Sequence, residues 1–220
     1  MLMPLGIEKG KPFKPDGRQT KILTEAAVLG DAMARTAAYD KRFPHATVYS
    51  GRHWEYANLV ELDQQAKGYA QLDERASWFY EAIANSVGMQ GRTLGFGQVY
   101  LEASKDKDGA WLDGGESYHM YVAPDPPVKQ FWSITLYDNL TRGPVITDQG
   151  AADLSSRENL AKNADGSVDL YFGPSKPTTA NANWIETQPG KGWFAYFRFY
   201  GPTQAYFNKT WALEDIEEIK

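Results

Sequence analysis

Cysteine is missing from all 220 residues of the chain, which excludes disulfides, thiolate nucleophiles and sulfur-ligated metals in one step. The same absence leaves the redox compartment open. Apolar runs are short. None approaches the roughly 20 residues needed to span a bilayer, and Met1-Leu2-Met3-Pro4 lacks the basic start and apolar stretch of a signal peptide. Positive charge is also in deficit: 23 Lys and Arg stand against 28 Asp and Glu, a net charge of -5. With no basic cluster to neutralise a phosphate backbone, nucleic acid is not an expected partner. Histidine is scarce. His45, His53 and His119 form no His-x-His pair of the kind that sets two metal ligands on one strand, so neither a metal nor another cofactor is expected. There is no Gly-x-Ser-x-Gly elbow, and Gly95-Phe96-Gly97 leads into a strand instead of a helix, which removes the dinucleotide fingerprint as well.

Aromatic side chains are what the chain has in quantity: Phe, Trp and Tyr make up 14% of it, with 7 Trp and 13 Tyr. Such rings join a large apolar area to a polar tip and serve both sheet cores and ligand platforms. Their placement therefore matters more than their number. After an irregular lead-in over 6–17, Ile22, Ala26, Leu29, Met33 and Ala37 recur at helical spacing and predict a helix over 18–40, with a break expected near Gly30. A second helix is predicted over 72–85, its stripe being Leu72, Ala76, Phe79, Tyr80 and Ile83, with Asp73, Glu74 and Glu81 off it. The segment 46–57 fits a short strand pair or a loop. Four glycines between 88 and 97 then end the helical half.

The remainder alternates with the period of two that defines a half-buried strand. Strands are predicted over 98–103, 117–122, 130–138, 167–172 and 193–200, punctuated by Asp-Gly turns near 109 and 166, while 181–192 reads as loop. Consecutive strands without intervening helices argue for a mainly β protein with an N-terminal helical part, a jelly-roll-like antiparallel β-sandwich. The expected division is a helical lead-in over 1–94, the sandwich over 95–213 and an acidic tail over 214–220.

In QFWSITLYD, residues 130–138, Trp132, Ile134 and Leu136 form one face, with Phe131, Ser133, Thr135 and Tyr137 on the other. In WFAYFRFY, residues 193–200, Trp193, Ala195, Phe197 and Phe199 form an apolar face and leave Phe194, Tyr196, Arg198 and Tyr200 opposite. That mixed face suits a small polar or carbohydrate-like ligand, which stacks on rings and accepts hydrogen bonds from Arg. It suits equally well a covering helix or a neighbouring subunit, and cover is the favoured reading. The candidate ligand contacts are Arg198, Tyr196, Tyr137, His119 and Trp184. A hydrolase in the same cleft would draw on His119, Asp138 and Glu116, although turn formation by Asp113 and Asp165 and strand-end capping by Asp138 are the simpler assignments. A third reading is an assembly module whose aromatic face seals an oligomer.

The ordered blocks Leu72-Asp73-Glu74-Arg75-Ala76, Leu112-Asp113-Gly114, Phe131 to Asp138, Asn163-Ala164-Asp165-Gly166-Ser167, Asn183-Trp184 and Arg198-Phe199-Tyr200-Gly201-Pro202 resemble landmarks of a bacterial two-module family. Its modules are domains of unknown function 1254 (N-terminal) and 1214 (C-terminal), and this chain resembles the second with its preceding helical segment. The resemblance implies a helical segment followed by a jelly-roll-like β-domain, with no reaction attached. It also implies a periplasmic or secreted setting, against a cytoplasmic one if the leaderless chain is complete, and a homo-oligomer or a missing N-terminal module as partner. After Asn183-Trp184 the family pattern runs Leu-Pro-x-Pro where this chain has Ile185-Glu186-Thr187-Gln188-Pro189, so a loop ligand site there would be altered.

Overall fold

The computed structural model describes residues 2–82 and 84–220. Its elements run α1 (Gly17–Tyr39), β1 (Glu55–Tyr56), β2 (Gln65–Ala66), β3 (Tyr69–Ala70), α2 (Leu72–Glu81), β4 (Gln98–Ala103), β5 (Tyr118–Val122), β6 (Val128–Asp138), β7 (Asp153–Ser155), β8 (Val168–Gly173), β9 (Asn183–Glu186), β10 (Trp193–Pro202), α3 (Gln204–Phe207) and β11 (Glu217–Glu218). The protein is mostly β, with an N-terminal helix and largely antiparallel sheets. One sheet has five strands in the order β1-β4-β10-β6-β7, the other four in the order β11-β5-β8-β9, and β2 and β3 form a small ribbon of their own. The four-stranded sheet includes one parallel pair, β8 with β9.

The two larger sheets close on each other as a sandwich. From the first come Val99, Leu101, Trp132, Ile134, Leu136, Trp193, Ala195, Phe197 and Phe199; from the second come Tyr118, Met120, Val122, Val168, Leu170, Phe172 and Ile185. Each is an alternate residue of its strand, as pleating requires. Burying one large apolar side chain is worth about 1.5–3 kcal/mol, so this layer dominates the stability of the fold. A second, smaller core lies on the outer side of the five-stranded sheet, where Phe194 and Tyr196 meet Ala38 and Tyr39 of α1, Trp78 of α2, and Ala57 and Val60. The strand β10, between β4 and β6, is therefore buried on both faces over its first half.

Several elements differ from their sequence-based expectation. The helix α1 runs through Gly30 without a break, started by a capping box in which Asp16 accepts from the Gln19 amide at 2.7 Å and Gln19 accepts from the Asp16 amide at 3.0 Å. Its expected buried stripe is mostly in solvent. Leu29 is 62% exposed and Met33 63%, and only Ala38 and Tyr39 in the last turn are buried. In α2 the faces are exchanged: Leu72 and Phe79 are exposed, while Glu74, Ser77 and Trp78 are buried. The helix ends at Glu81, and the predicted stripe residue Ile83 lies outside the described residues. The Asp-Gly turn near Gly109 closes a bridge between Lys105 and Trp111 but does not join a hairpin, because β4 and β5 belong to different sheets. Part of the stretch read as loop forms β9, and the stretch read as an acidic tail supplies β11, which pairs with β5.

Candidate functional site

The strand registers decide what meets on the outer face of the five-stranded sheet. Tyr196 lies opposite Glu102 and Thr135, and Arg198 opposite Tyr100 and Ser133. The Arg198 guanidinium donates to Thr135 Oγ1 at 2.8 Å and to the Tyr137 hydroxyl at 2.7 Å. It also lies 5.2–5.7 Å from the ring centres of Tyr100, Tyr137 and Tyr196, within cation–π range. Thus Arg198, Tyr196 and Tyr137 are brought together on one face, as the alternation predicts. They are also occupied with one another and with the helices above them, and the clefts described below are lined by other residues.

Beneath the helices, this face carries a buried charge cluster. Lys41, just past the end of α1, reaches Glu102 Oε2 at 2.5 Å and Glu55 Oε2 at 3.6 Å, and also donates to the Ala38 carbonyl. Glu81, from the last turn of α2, accepts a hydrogen bond from the Tyr196 hydroxyl and feels the charge of Glu102. Ser104 Oγ donates to the second oxygen of Glu102 at 3.2 Å. One ammonium thus faces three carboxyl groups. Burial pushes Glu81 well above the usual carboxylate range, the charge of Glu102 pushes it further, and Lys41 only partly offsets this. Glu81 is therefore held protonated, as expected where two carboxyls share a site. Burial likewise raises Glu55 to about 7, against the pull of Lys41. For Lys41 itself burial disfavours the charge, yet Glu102, Glu81 and Glu55 outweigh it and hold the ammonium protonated above the ordinary lysine range.

Next to this cluster a cleft of about 490 Å³ opens at the end of the sandwich where β10 begins. Tyr39, Ser104 and Trp193 line it, Arg35 and Arg42 lie along it, and Trp111, 54% exposed, adds a ring with the Lys105 ammonium 4.7 Å from its centre. Two of these residues carry hydrogen-bonding groups that are buried without a partner: the Tyr39 hydroxyl and the Trp193 indole N–H. Unpaired buried donors cost on the order of 1–3 kcal/mol each and are uncommon. Burial raises the Tyr39 hydroxyl above the ordinary tyrosine range, and Glu81 and Glu102 push it further, so it remains an O–H donor.

The other predicted residues lie elsewhere. His119 projects from the outer side of the four-stranded sheet, where Nε2 is 2.7 Å from Asp169 Oδ1 and the ring lies against Tyr171. Trp184 is on β9 of that same sheet, its indole N–H donating to the Gly173 carbonyl at 3.0 Å. Neither shares a cleft with Arg198, because β5 and β9 belong to the opposite layer of the sandwich. Glu116 is exposed in the turn before β5. Asp138 caps the end of β6, accepting from the Leu140 and Thr141 amides at 2.9 and 2.8 Å, and these bonds hold its carboxylate below the usual range despite its burial. Asp113 and Asp165 accept from the amides of Gly115 and Ser167 within their own turns. Sequence reasoning missed Tyr39, Lys41, Glu55, Glu81 and Glu102. The signal it held was Glu102, a carboxylate on the same strand face as Tyr100. Among the described residues, no group of three or more His, Asp or Glu is placed to hold a metal ion, and no helix is long and apolar enough to cross a membrane.

The cluster and cleft straddle a boundary that comparison with known proteins makes visible. Residues 97–204 match the family described as a protein of unknown function, DUF1214. The matched region contributes Glu102, Ser104, Trp193, Tyr196 and Arg198, whereas Tyr39, Lys41, Glu55 and Glu81 precede it. No curated protein matches the chain. Among solved structures, the VPA0106 protein from Vibrio parahaemolyticus is similar over 99% of this chain and 49% of its own, with 22% identity and a TM-score of 0.55, a likeness in fold. An uncharacterised protein from Burkholderia cenocepacia is similar over 69% of this chain and 41% of its own, with 18% identity and a TM-score of 0.43. The chain therefore spans about half the length, or less, of these solved structures.

Proposed function

We propose that the protein binds a small, acceptor-rich polar molecule, carbohydrate-like or an aromatic acid, in the cleft at the start of β10. The observation that carries this reading is the pair of unpartnered buried donors, Tyr39 O–H and Trp193 N–H, on two residues that line one cleft. A ligand offering hydroxyl, carbonyl or carboxylate oxygens would satisfy both. The exposed Trp111 ring, which carries Lys105 against it, supports stacking, and Arg35 favours a partly anionic ligand, Arg42 being paired with Asp40. The reading shifts the ligand from the Arg198 face, whose donors and rings are already engaged, to its neighbour.

The hydrolase alternative would rest on Glu81 and Glu102. The two share one buried cluster, in which the charge of Glu102 raises Glu81. A proton-sharing pair is the form such chemistry would take here, and its commitment to Lys41 and Tyr196 favours binding over turnover.

The test is a thermal-shift screen over neutral sugars and aromatic acids. A ligand present at 100 times its Kd adds about 2.7 kcal/mol, which for a domain of this size raises Tm by roughly 5–10 °C. The stabilisation is expected to shrink in Tyr39→Phe and in Trp111→Ala. A screen with no stabiliser, or a stabiliser equally effective on both variants, overturns the assignment.

A further inference from the structure

At the other end of β10, a separate cleft of about 360 Å³ lies between α3 and the segment that follows β1. Its size is at the lower end of the range typical of small-ligand sites. Lys209, Tyr56, Tyr206, Phe207 and Asn58 are among its lining residues. The Lys209 ammonium lies 4.3 Å from the ring centre of Tyr206 and 5.1 Å from those of Tyr49 and Tyr56, and donates to the Tyr56 hydroxyl at 2.8 Å. Rings on several sides hold the charge in place without neutralising it. An ammonium has three N–H donors, and one of them is spoken for by Tyr56.

The opposite requirement comes from Asn58, which is buried. The side chain of Asn85 donates to the Val60 carbonyl at 3.1 Å, so its oxygen is what faces Asn58, and it accepts from the Asn58 amide nitrogen at 2.9 Å. That chain of bonds fixes the Asn58 amide, whose oxygen is left buried with no partner. The cleft thus combines a held positive charge, an unsatisfied acceptor and aromatic walls. Two of its lining residues, His45 at φ 64° and Lys209 at φ 55°, also hold the left-handed backbone that non-glycine residues seldom adopt and that clusters at ligand clamps.

We infer that this cleft is a second binding site, for a small hydroxylated carboxylate of the sugar-acid class. The carboxylate pairs with Lys209, a hydroxyl donates to Asn58 Oδ1, and the apolar face of the sugar ring lies against Tyr206 and Phe207. The inference does not depend on the function proposed above: the first cleft takes in Trp193 at the start of β10, this one Tyr206 beyond its end, and the strand between them spans about 30 Å at roughly 3.3 Å per residue.

The test is calorimetric titration of the full chain with D-glucuronate and D-galacturonate, with D-glucose and acetate as controls. At least one sugar acid is expected to bind with a Kd of about 1 mM or tighter, and both controls to bind at least about tenfold more weakly. Lys209→Gln, a change at an exposed side chain, is expected to weaken the sugar acid by about tenfold, the equivalent of one charge-assisted hydrogen bond. Val28→Ala, at an exposed position of α1 that lines neither cleft, is expected to leave it unchanged. In nitrogen-resolved NMR the Asn58 side-chain amide is expected to shift on binding. The inference is overturned if neither sugar acid binds, if Lys209→Gln binds as well as the parent, or if Val28→Ala weakens binding as much as Lys209→Gln does.

Discussion

At the residue scale the most informative group is Glu55, because its charge is undecided near neutrality. Folding raises its carboxyl from the ordinary range to about 7, first by burial and then by the charge of Glu102, against Lys41. The folded state therefore holds a proton that the unfolded chain has released. Stability is fullest below the unfolded value near 4.5 and is lost as pH rises through about 7. The loss is on the order of 2–4 kcal/mol between pH 5 and pH 8. Glu81, raised in the same direction, deepens the loss, while Asp40 and Asp138, which are lowered, act only at more acidic pH. Denaturant unfolding of the parent and of Glu55→Gln at pH 5, 6, 7 and 8 should give a clearly flatter profile for the variant. Parallel profiles would mean that Glu55 does not ionise in this window. None of this was legible in the residue string, because the shift arises from Lys41, Glu55, Glu81 and Glu102 meeting across long sequence separations.

At the scale of elements, legibility followed length and alternation. The strands β4, β5, β6, β8 and β10 each keep a period of two over five or more residues, and all were placed within about two residues. The elements β1, β7, β9 and β11 have two to four residues each, too few to show a period, and they exist because a neighbouring strand supplies the ladder. Helical period was read correctly while its buried face was not. In α2 the buried side carries Glu74, which accepts from Tyr69 at 2.6 Å, and Trp78, whose indole donates to the Ala84 carbonyl at 2.8 Å, so a polar network outweighs the apolar stripe. The helix α1 has the opposite condition: its apolar side chains Leu29 and Met33 are present but left mostly exposed among the described residues. Most helical stability in proteins comes from tertiary packing of an apolar face, which this part of α1 lacks. Amide hydrogen exchange should therefore show little protection over about residues 20–33 and near-global protection at Ala38 and Tyr39, which are buried. Uniformly high protection along α1 would show instead that its apolar side is covered in solution, as the oligomer reading requires.

At the scale of the whole molecule, the expected division at residue 95 passes through a core rather than between two. Phe194 and Tyr196 belong to a sheet whose strands, β1 apart, lie after that point, yet what buries them is Ala38, Tyr39, Ala57, Val60 and Trp78. Glu102, 1% exposed, finds its counter-charge in Lys41, also from before the division. Removing residues 1–94 would bare an aromatic sheet face, strip β1 from the edge of β4 and leave Glu102 without its cation. Breaking a buried ion pair from one side costs about 3–5 kcal/mol, and each large ring returned to water costs about 1.5–3 kcal/mol more. Set against the 5–15 kcal/mol that a typical domain has in hand, that loss predicts that residues 95–220 alone will not hold a fixed tertiary structure. Near-UV circular dichroism should be weak and binding of a hydrophobic dye strong, while the intact chain unfolds in a single transition seen alike by tryptophan fluorescence and far-UV dichroism. A truncated chain with sharp aromatic signals and an unchanged Tm would show that the sandwich folds without the helical side, and that the cluster around Lys41 adds nothing the β-layers need.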